Sequence, residues 1–195
     1  HLNEYRVLYL LVIIFFLLGI IAGTVSVHFL EPEQNARLAS YLDSILAQFD
    51  STAASIDQAF YQVFSSAFKE IGLIWFLGLT VLGMPLIITF IFLKGFILGF
   101  TVGLLVLEKA FSGIAFSLLA ILPPNLIHIP VIIIAAVLGL AFSLNLLRGQ
   151  RYGGGLTGLI SYSGLMVLVM LVIMAGGLIE IYLSPVFARV VLNYF

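Results

Sequence analysis

The length of its uncharged apolar runs constrains this chain more than any other feature. Residues 7–30 form 24 consecutive positions without Asp, Glu, Lys or Arg. About 20 apolar residues in a helix span the hydrocarbon core of a bilayer, so this run is long enough for a complete crossing. Uncharged runs of similar length cover residues 71–93 and 156–179. These runs predict an all-α polytopic membrane bundle, because helices satisfy their own backbone hydrogen bonds inside lipid.

The composition excludes several other classes of protein. Hydrophobic residues make up 63% and charged residues 9% of the 195 residues, with a mean hydropathy of +1.24, whereas soluble domains carry about 25% charged residues. The net charge of −1 gives no basis for nucleic-acid binding. The absence of cysteine excludes disulfides, Cys-ligated zinc and thiol catalysis. Since the first residue is His1 rather than Met, we expect that a native N-terminal piece is missing.

The apolar runs and the basic residues predict a topology for a single integral membrane domain, residues 1–195. Arg148 and Arg151 lie close together and favour a cytoplasmic loop. With the N-terminus also in the cytoplasm, five crossings leave the C-terminus outside. Residues 95–122 cross once in this scheme, and a re-entrant hairpin is the alternative. The predicted segments are crossings at 7–30, 71–93, 95–109, 128–147 and 160–183, an outer half-helix at 111–124, a cytoplasmic loop at 148–156 and an outer tail at 184–195.

One long polar segment, residues 31–69, follows the first crossing. Its apolar residues recur at helical spacing, which predicts two amphipathic helices on the extracytoplasmic side. One interpretation is that these helices cover the rim of the bundle; the other is that they bind a partner protein. The candidate docking residues are Leu38, Tyr41, Leu42, Ile45, Phe49, Phe60 and Phe64.

Glycine spacing predicts where helices pack closely. Gly95, Gly99 and Gly103 recur every fourth residue and form a stripe without side chains along one helix face. Such a stripe lets a second helix approach closely in lipid, where dispersion contacts hold helices together. Gly19 and Gly23 form a second G-x-x-x-G motif in the first crossing. Pro85 is predicted to kink the second crossing.

Four polar residues near or within the predicted crossings are candidates for function, because embedded polar groups are costly. They are Lys94, Asn125, His128 and Glu180. Lys94 is predicted to lie at the cytoplasmic turn between two crossings, where its side chain snorkels to water. His128 follows a double proline and is predicted to cap or bridge a broken helix, and Glu180 to accept hydrogen bonds near the outer surface. No nucleophile–base pair or metal-ligand spacing is visible, so we predict neither an enzyme nor a cofactor nor a metal site.

Several short motifs occur in a fixed order. They are Gly83-Met84-Pro85, then Lys94-Gly95-Phe96-Ile97-Leu98-Gly99-Phe100, then Leu122-Pro123-Pro124-Asn125-Leu126-Ile127-His128-Ile129-Pro130, and finally Glu180 with Ser184-Pro185. In these motifs, and from about Tyr5 to the C-terminus, the chain resembles the stage II sporulation protein M family of bacterial membrane proteins. The broader family often has Pro-His-Gly-x-x-Glu in the proline segment. Here Pro124, Asn125 and His128 stand at the His, Gly and Glu positions, so any activity attached to that pattern is not carried over.

The resemblance implies a role that composition does not show. Members in spore-formers act in engulfment, in the septal membrane of the mother cell. There they localise a lytic transglycosylase and an amidase/endopeptidase that face the cell wall, and they are not hydrolases themselves. The implied partners are therefore these two enzymes and membrane lipid, with self-association left open. The alternative from the residues is a transporter or permease subunit, because proline-broken helices can form substrate sites.

Overall fold

A computed structural model of the protein describes residues 2–30, 38, 40, 56–116, 122–148 and 156–194. No strand occurs among them. The long helices with described bounds are α1 (Leu2–Ser26), α2 (Ile56–Gly78), α3 (Gly83–Phe116), α4 (Leu122–Leu147) and α5 (Leu156–Tyr194), and a short 3-10 turn, Val27–Phe29, extends α1. The predicted all-α bundle is confirmed. Within the described residues, four segments are long and apolar enough to cross a membrane, Tyr5–Phe29, Gly83–Leu107, Asn125–Leu147 and Leu156–Leu178.

Helices α1 and α3 run in parallel and touch through glycines on both sides. A Cβ added to Gly23 would lie 2.7 Å from the backbone nitrogen of Phe100, and one added to Gly99 would lie 2.8 Å from the Cα of Ile20. Both added atoms would also overlap a carbonyl oxygen of the facing helix. Gly95 is as tightly placed, against the backbone of Phe16. The backbones therefore meet with no side chain between them, as small-residue stripes allow.

From α2 onward, each helix runs antiparallel to the next helix in the chain. A short turn at residues 79–82 reverses the chain between α2 and α3. Gly83 begins α3, and a Cβ there would overlap the carbonyl oxygen of Leu77, so the tight reversal requires glycine. Helix α4 runs alongside α2 in the same direction, with Ser143 beside Thr80. Helix α5 then runs back along both, so the start of α1, the 79–82 turn and Arg148 share one end of the bundle.

Polar and aromatic side chains connect the helices at this end of the bundle. The last carbonyls of a helix lack intrahelical partners and need other donors when buried. The Tyr162 hydroxyl lies 3.2 Å from the carbonyl oxygen of Trp75, and its ring stacks on Phe142 with centroids 4.3 Å apart. The Trp75 indole in turn donates to Ser163 Oγ at 3.0 Å. These contacts join α5 and α4 to the end of α2.

The hydrophobic core lies between all five helices. Its largest fully buried apolar side chains are Ile71, Ile74, Ile87, Ile91, Leu140, Val12, Val27 and Val137. Large apolar side chains cover the outside as well, above all on α1 and α5, where Leu10 is 60% exposed and Leu171 is 60% exposed. An apolar exterior around an apolar core suits a bundle surrounded by lipid.

Two predicted boundaries and one predicted kink differ from the structure. The predicted crossing 71–93 is interrupted by the 79–82 turn, because its apolar residues belong to two antiparallel helices. The predicted short helix 95–109 is the middle of the longer α3, which continues into the predicted half-helix 111–124. Pro85 lies in the first turn of α3, where its missing N–H costs no hydrogen bond, and it does not kink the interior of a helix.

Candidate functional site: a charged cluster between three helices

Three ionisable side chains from three different helices meet inside the bundle. Glu70 lies on α2, Lys94 on α3 and His128 on α4. The Lys94 ammonium donates to Glu70 Oε1 and forms an ion pair with it. Glu70 Oε2 lies 2.9 Å from His128 Nε2. Each carboxylate oxygen of Glu70 therefore has its own partner, and the cluster joins α2, α3 and α4.

The cluster is surrounded by apolar residues and is only partly open. The side chains of Lys94 and His128 are each 31% exposed, and that of Glu70 is 17% exposed. The Lys94 ammonium also lies 5.7 Å from the centroid of the Phe90 ring, at cation–π distance. Ile71 and Ile91, one residue after Glu70 and three before Lys94, are buried in the core. Charges in such surroundings are tolerated because they are paired.

The cluster lies well inside the apolar thickness of the bundle. Lys94 is near the middle of the apolar segment Gly83–Leu107. The prediction that Lys94 lies at a helix junction and snorkels to water is therefore wrong. The junction is the 79–82 turn, and Lys94 is inside α3, where Glu70 provides the counter-charge.

The chemistry available to this cluster is that of charge pairing and proton binding. With a neutral imidazole, Glu70 and Lys94 cancel and the cluster has no net charge. No group of three or more His, Cys, Asp or Glu among the described residues has the arrangement of a metal site. The described contacts of Glu70 are with a lysine and a histidine, so it faces no hydroxyl or thiol nucleophile in them.

The other predicted polar residues are distributed along α4 and α5. His128 was predicted to cap or bridge a broken helix; instead it lies within α4 and contacts Glu70. Asn125 is half-buried on α4, three positions before His128. Glu180 belongs to α5, but its side chain lies outside the described residues.

The predicted packing and docking residues fall into separate places. Gly95, Gly99 and Gly103 all face α1. Leu38 is helical and half-buried, whereas Phe60 and Phe64 are 46% and 42% exposed on α2. The remaining docking residues, Tyr41, Leu42, Ile45 and Phe49, lie outside the described residues.

Glu70, the centre of the cluster, was missed from the sequence. It lies between the predicted polar segment 31–69 and the predicted crossing 71–93, and neither prediction includes it. A signal was present, because the buried positions Ala67, Ile71 and Ile74 continue the helical period of the loop across residue 70. That continuity predicts a helix that carries Glu70 beside its buried face.

Comparison with known proteins gives one match. The family model described as Stage II sporulation protein M matches residues 12–185, which is most of the chain. No curated protein and no solved structure matches. The matched range includes Glu70, Lys94 and His128 and extends to Pro185 in the last motif.

Proposed function

The chain belongs to the stage II sporulation protein M family, and from that premise we propose that this sporulation membrane protein is a scaffold. It holds a lytic transglycosylase and an amidase/endopeptidase at the outer face of the mother-cell septal membrane, and it does not hydrolyse peptidoglycan itself. The two enzymes act on the wall, so the surface that binds them lies at the extracytoplasmic end of the bundle.

The observation that carries this proposal is the direct backbone contact between α1 and α3. Gly95 and Gly99 leave no room for a Cβ against α1, and Gly23 leaves none against α3. A scaffold needs a fixed geometry, whereas alternating access requires elements that rock against each other. Helices locked backbone to backbone favour the first role.

The proposal includes an orientation of the bundle. The end that carries Arg6, the 79–82 turn and Arg148 is assigned to the cytoplasm, where basic residues concentrate. Helix α1 then runs outward, α2 inward, α3 outward, α4 inward and α5 outward. This gives five crossings, with the N-terminus inside and the C-terminus outside. Helix α2 is the crossing that apolarity alone does not reveal, because it carries charges.

The outer end of α2 is the described part of the proposed docking surface. Phe60 and Phe64 are exposed there. The variant Phe60→Ala/Phe64→Ala should lower recovery of both hydrolases when the protein is purified from sporulating membranes and the enzymes are detected with specific antibodies. Phe29→Ala is the matched control, because Phe29 is 83% exposed at the same end of the bundle. Unchanged recovery with the double variant, or equal loss with the control, would contradict this docking surface.

A transport subunit is the second candidate function. The charged cluster favours it, because ionisable residues inside a membrane commonly mark ion or proton pathways. The variant Glu70→Gln/Lys94→Met removes the pair without leaving a lone charge. A scaffold should keep its recovery of the hydrolases with this variant, whereas a transporter should lose ion or solute flux in reconstituted vesicles. Flux that depends on the pair, with unchanged recovery of the hydrolases, would favour transport.

A further inference from the structure

Lys69 lies next to Glu70 on α2 but differs from it in its surroundings. Glu70 faces Lys94 and His128, whereas the Lys69 side chain is exposed. Lys69 has no hydrogen bond or ion pair among the residues that the structure describes. A second charge at nearly the same depth as the paired cluster is therefore without a described partner.

Among the described residues, Lys69 lies on a largely exposed helix face. Ser65, Lys69, Gly72 and Phe76 follow the spacing i, i+4, i+7, i+11 and so share one side of α2. A Cβ added to Gly72 would meet nothing within 4 Å, and Phe76 is 60% exposed. Phe68, which is 59% exposed, borders this line. We call these five residues the Lys69 face.

The position of Lys69 makes exposure to lipid costly. Lys69 has this position if α2 crosses the membrane as in the proposed function. Helix α2 ends at Gly78, about 13 Å further along the axis at 1.5 Å per residue. That distance is longer than a lysine side chain, so the ammonium does not reach the cytoplasmic surface by snorkelling. A lone lysine near the centre of a spanning helix is costly to insert into a membrane.

We propose that the Lys69 face binds a transmembrane helix of a second protein, and that this helix carries a carboxylate at mid-bilayer depth. The carboxylate pairs with the Lys69 ammonium. Ser65 and Gly72 on either side of Lys69 allow the partner backbone to come close, as small residues do in lipid. This deepens the proposed function, because it gives the chemical character of a membrane-anchored partner.

A second copy of this chain does not meet the same requirement. The four apolar segments contain no Asp or Glu. The carboxylate that α2 has at this depth, Glu70, is engaged by Lys94 and His128. Charge complementarity therefore points to a different protein.

The test uses the full-length protein in phosphatidylcholine vesicles with a synthetic leucine-rich transmembrane peptide as probe. The peptide carries one Asp at its centre, and matched peptides carry Leu there or the Asp one turn from the end. Energy transfer between labelled protein and labelled peptide measures association. We expect the central-Asp peptide to bind best, and Lys69→Leu to weaken its binding about tenfold, the equivalent of about 1.4 kcal/mol.

Two further variants and one control separate charge from shape. Gly72→Leu fills the open space on the Lys69 face and should weaken peptide binding, whereas Gly164→Leu is the matched control. A Cβ at Gly164 on α5 also meets nothing within 4 Å, so this variant should bind the peptide normally. The variant Lys69→Asp should no longer bind the central-Asp peptide. It should instead bind a peptide that carries Lys at its centre.

The remaining outcomes overturn the inference. Equal binding of the Asp and Leu peptides, or binding that survives Lys69→Leu, would exclude a charge-specific site. Self-association of the protein that is lost on Lys69→Leu would assign the face to a second copy. An unfolding transition that Lys69→Leu lowers in the absence of any peptide would assign the lysine to a contact within the chain. Failed peptide binding with normal recovery of the wall hydrolases would overturn this inference and leave the proposed scaffold intact.

Discussion

Helix α3 is held on two sides by interfaces of opposite chemistry, and neighbouring residues belong to each. Gly95 faces α1 and contributes no side chain, whereas Lys94 faces α2 and contributes a charge. The first interface depends mainly on shape, and its glycines leave no space for one more carbon. The second depends on charge balance, because its members are neutralised by each other. Burial of apolar surface does not drive helices together in lipid. Close packing and paired polar groups stabilise their association instead.

The largest expected effect comes from breaking the charged interface on one side. Lys94→Met keeps a long side chain but leaves the Glu70 carboxylate with His128 as its described partner. We expect the free energy of unfolding to fall by roughly 3–5 kcal/mol, as when one partner of a buried ion pair is removed. Unfolding in mixed lipid–SDS micelles measures this change.

The double variant Glu70→Gln/Lys94→Met separates charge from packing. Because it removes both charges, it should recover most of the stability lost in Lys94→Met. A double variant as unstable as the single one would show that the lysine stabilises the bundle by packing and not by its charge.

A smaller effect is expected at the glycine interface. Gly99→Ala places a Cβ 2.8 Å from the Cα of Ile20, so α1 and α3 must separate. Overpacking of this kind costs about 1–3 kcal/mol. The control is Gly164→Ala, which adds the same atom where nothing lies within 4 Å. Equal transitions for the two variants in the same unfolding assay would contradict the close contact.

The smallest expected effect concerns the hydrogen bond that Thr24 makes across the glycine interface. The Thr24 hydroxyl is shared between the carbonyl oxygens of Ile20 at 2.9 Å and Gly99 at 3.1 Å. Thr24→Val should cost about 0.6 kcal/mol, the average of such bonds between membrane helices. Thr101→Val should cost less, since the Thr101 hydroxyl bonds to Ile97 in its own helix. A larger loss at Thr101 than at Thr24 would refute the interhelical role.

The two interfaces also differ in how far they were predictable. The four-residue spacing of Gly95, Gly99 and Gly103 is local and predicts a packing face, although it does not identify α1 as the partner. The charged cluster joins positions far apart in the chain, so no local pattern connects Glu70 to Lys94 or His128. Recognising it requires the antiparallel arrangement of α2 and α3, which the sequence interpretation missed.

The 79–82 turn was missed for a physical reason. Its residues, Leu79 to Leu82, are almost as apolar as the helices on either side, so hydropathy continues through the reversal. The available signals were Gly78 and Gly83 on the two sides and Pro85 shortly after, because proline is tolerated in the first turn of a helix. Without the turn, Lys94 was assigned to a junction and Glu70 to no segment.

The central claim is that five helices cross the membrane, with α2 reversing into α3 at the cytoplasmic surface. Because the chain has no cysteine, single-cysteine labelling with a membrane-impermeant maleimide tests this directly. Val81 is 46% exposed in the 79–82 turn, and Phe29 is 83% exposed at the opposite end. We predict that Val81→Cys is labelled only in inside-out vesicles and Phe29→Cys only from the outside of intact cells. Labelling of Val81→Cys from outside, or from neither side, would contradict the account.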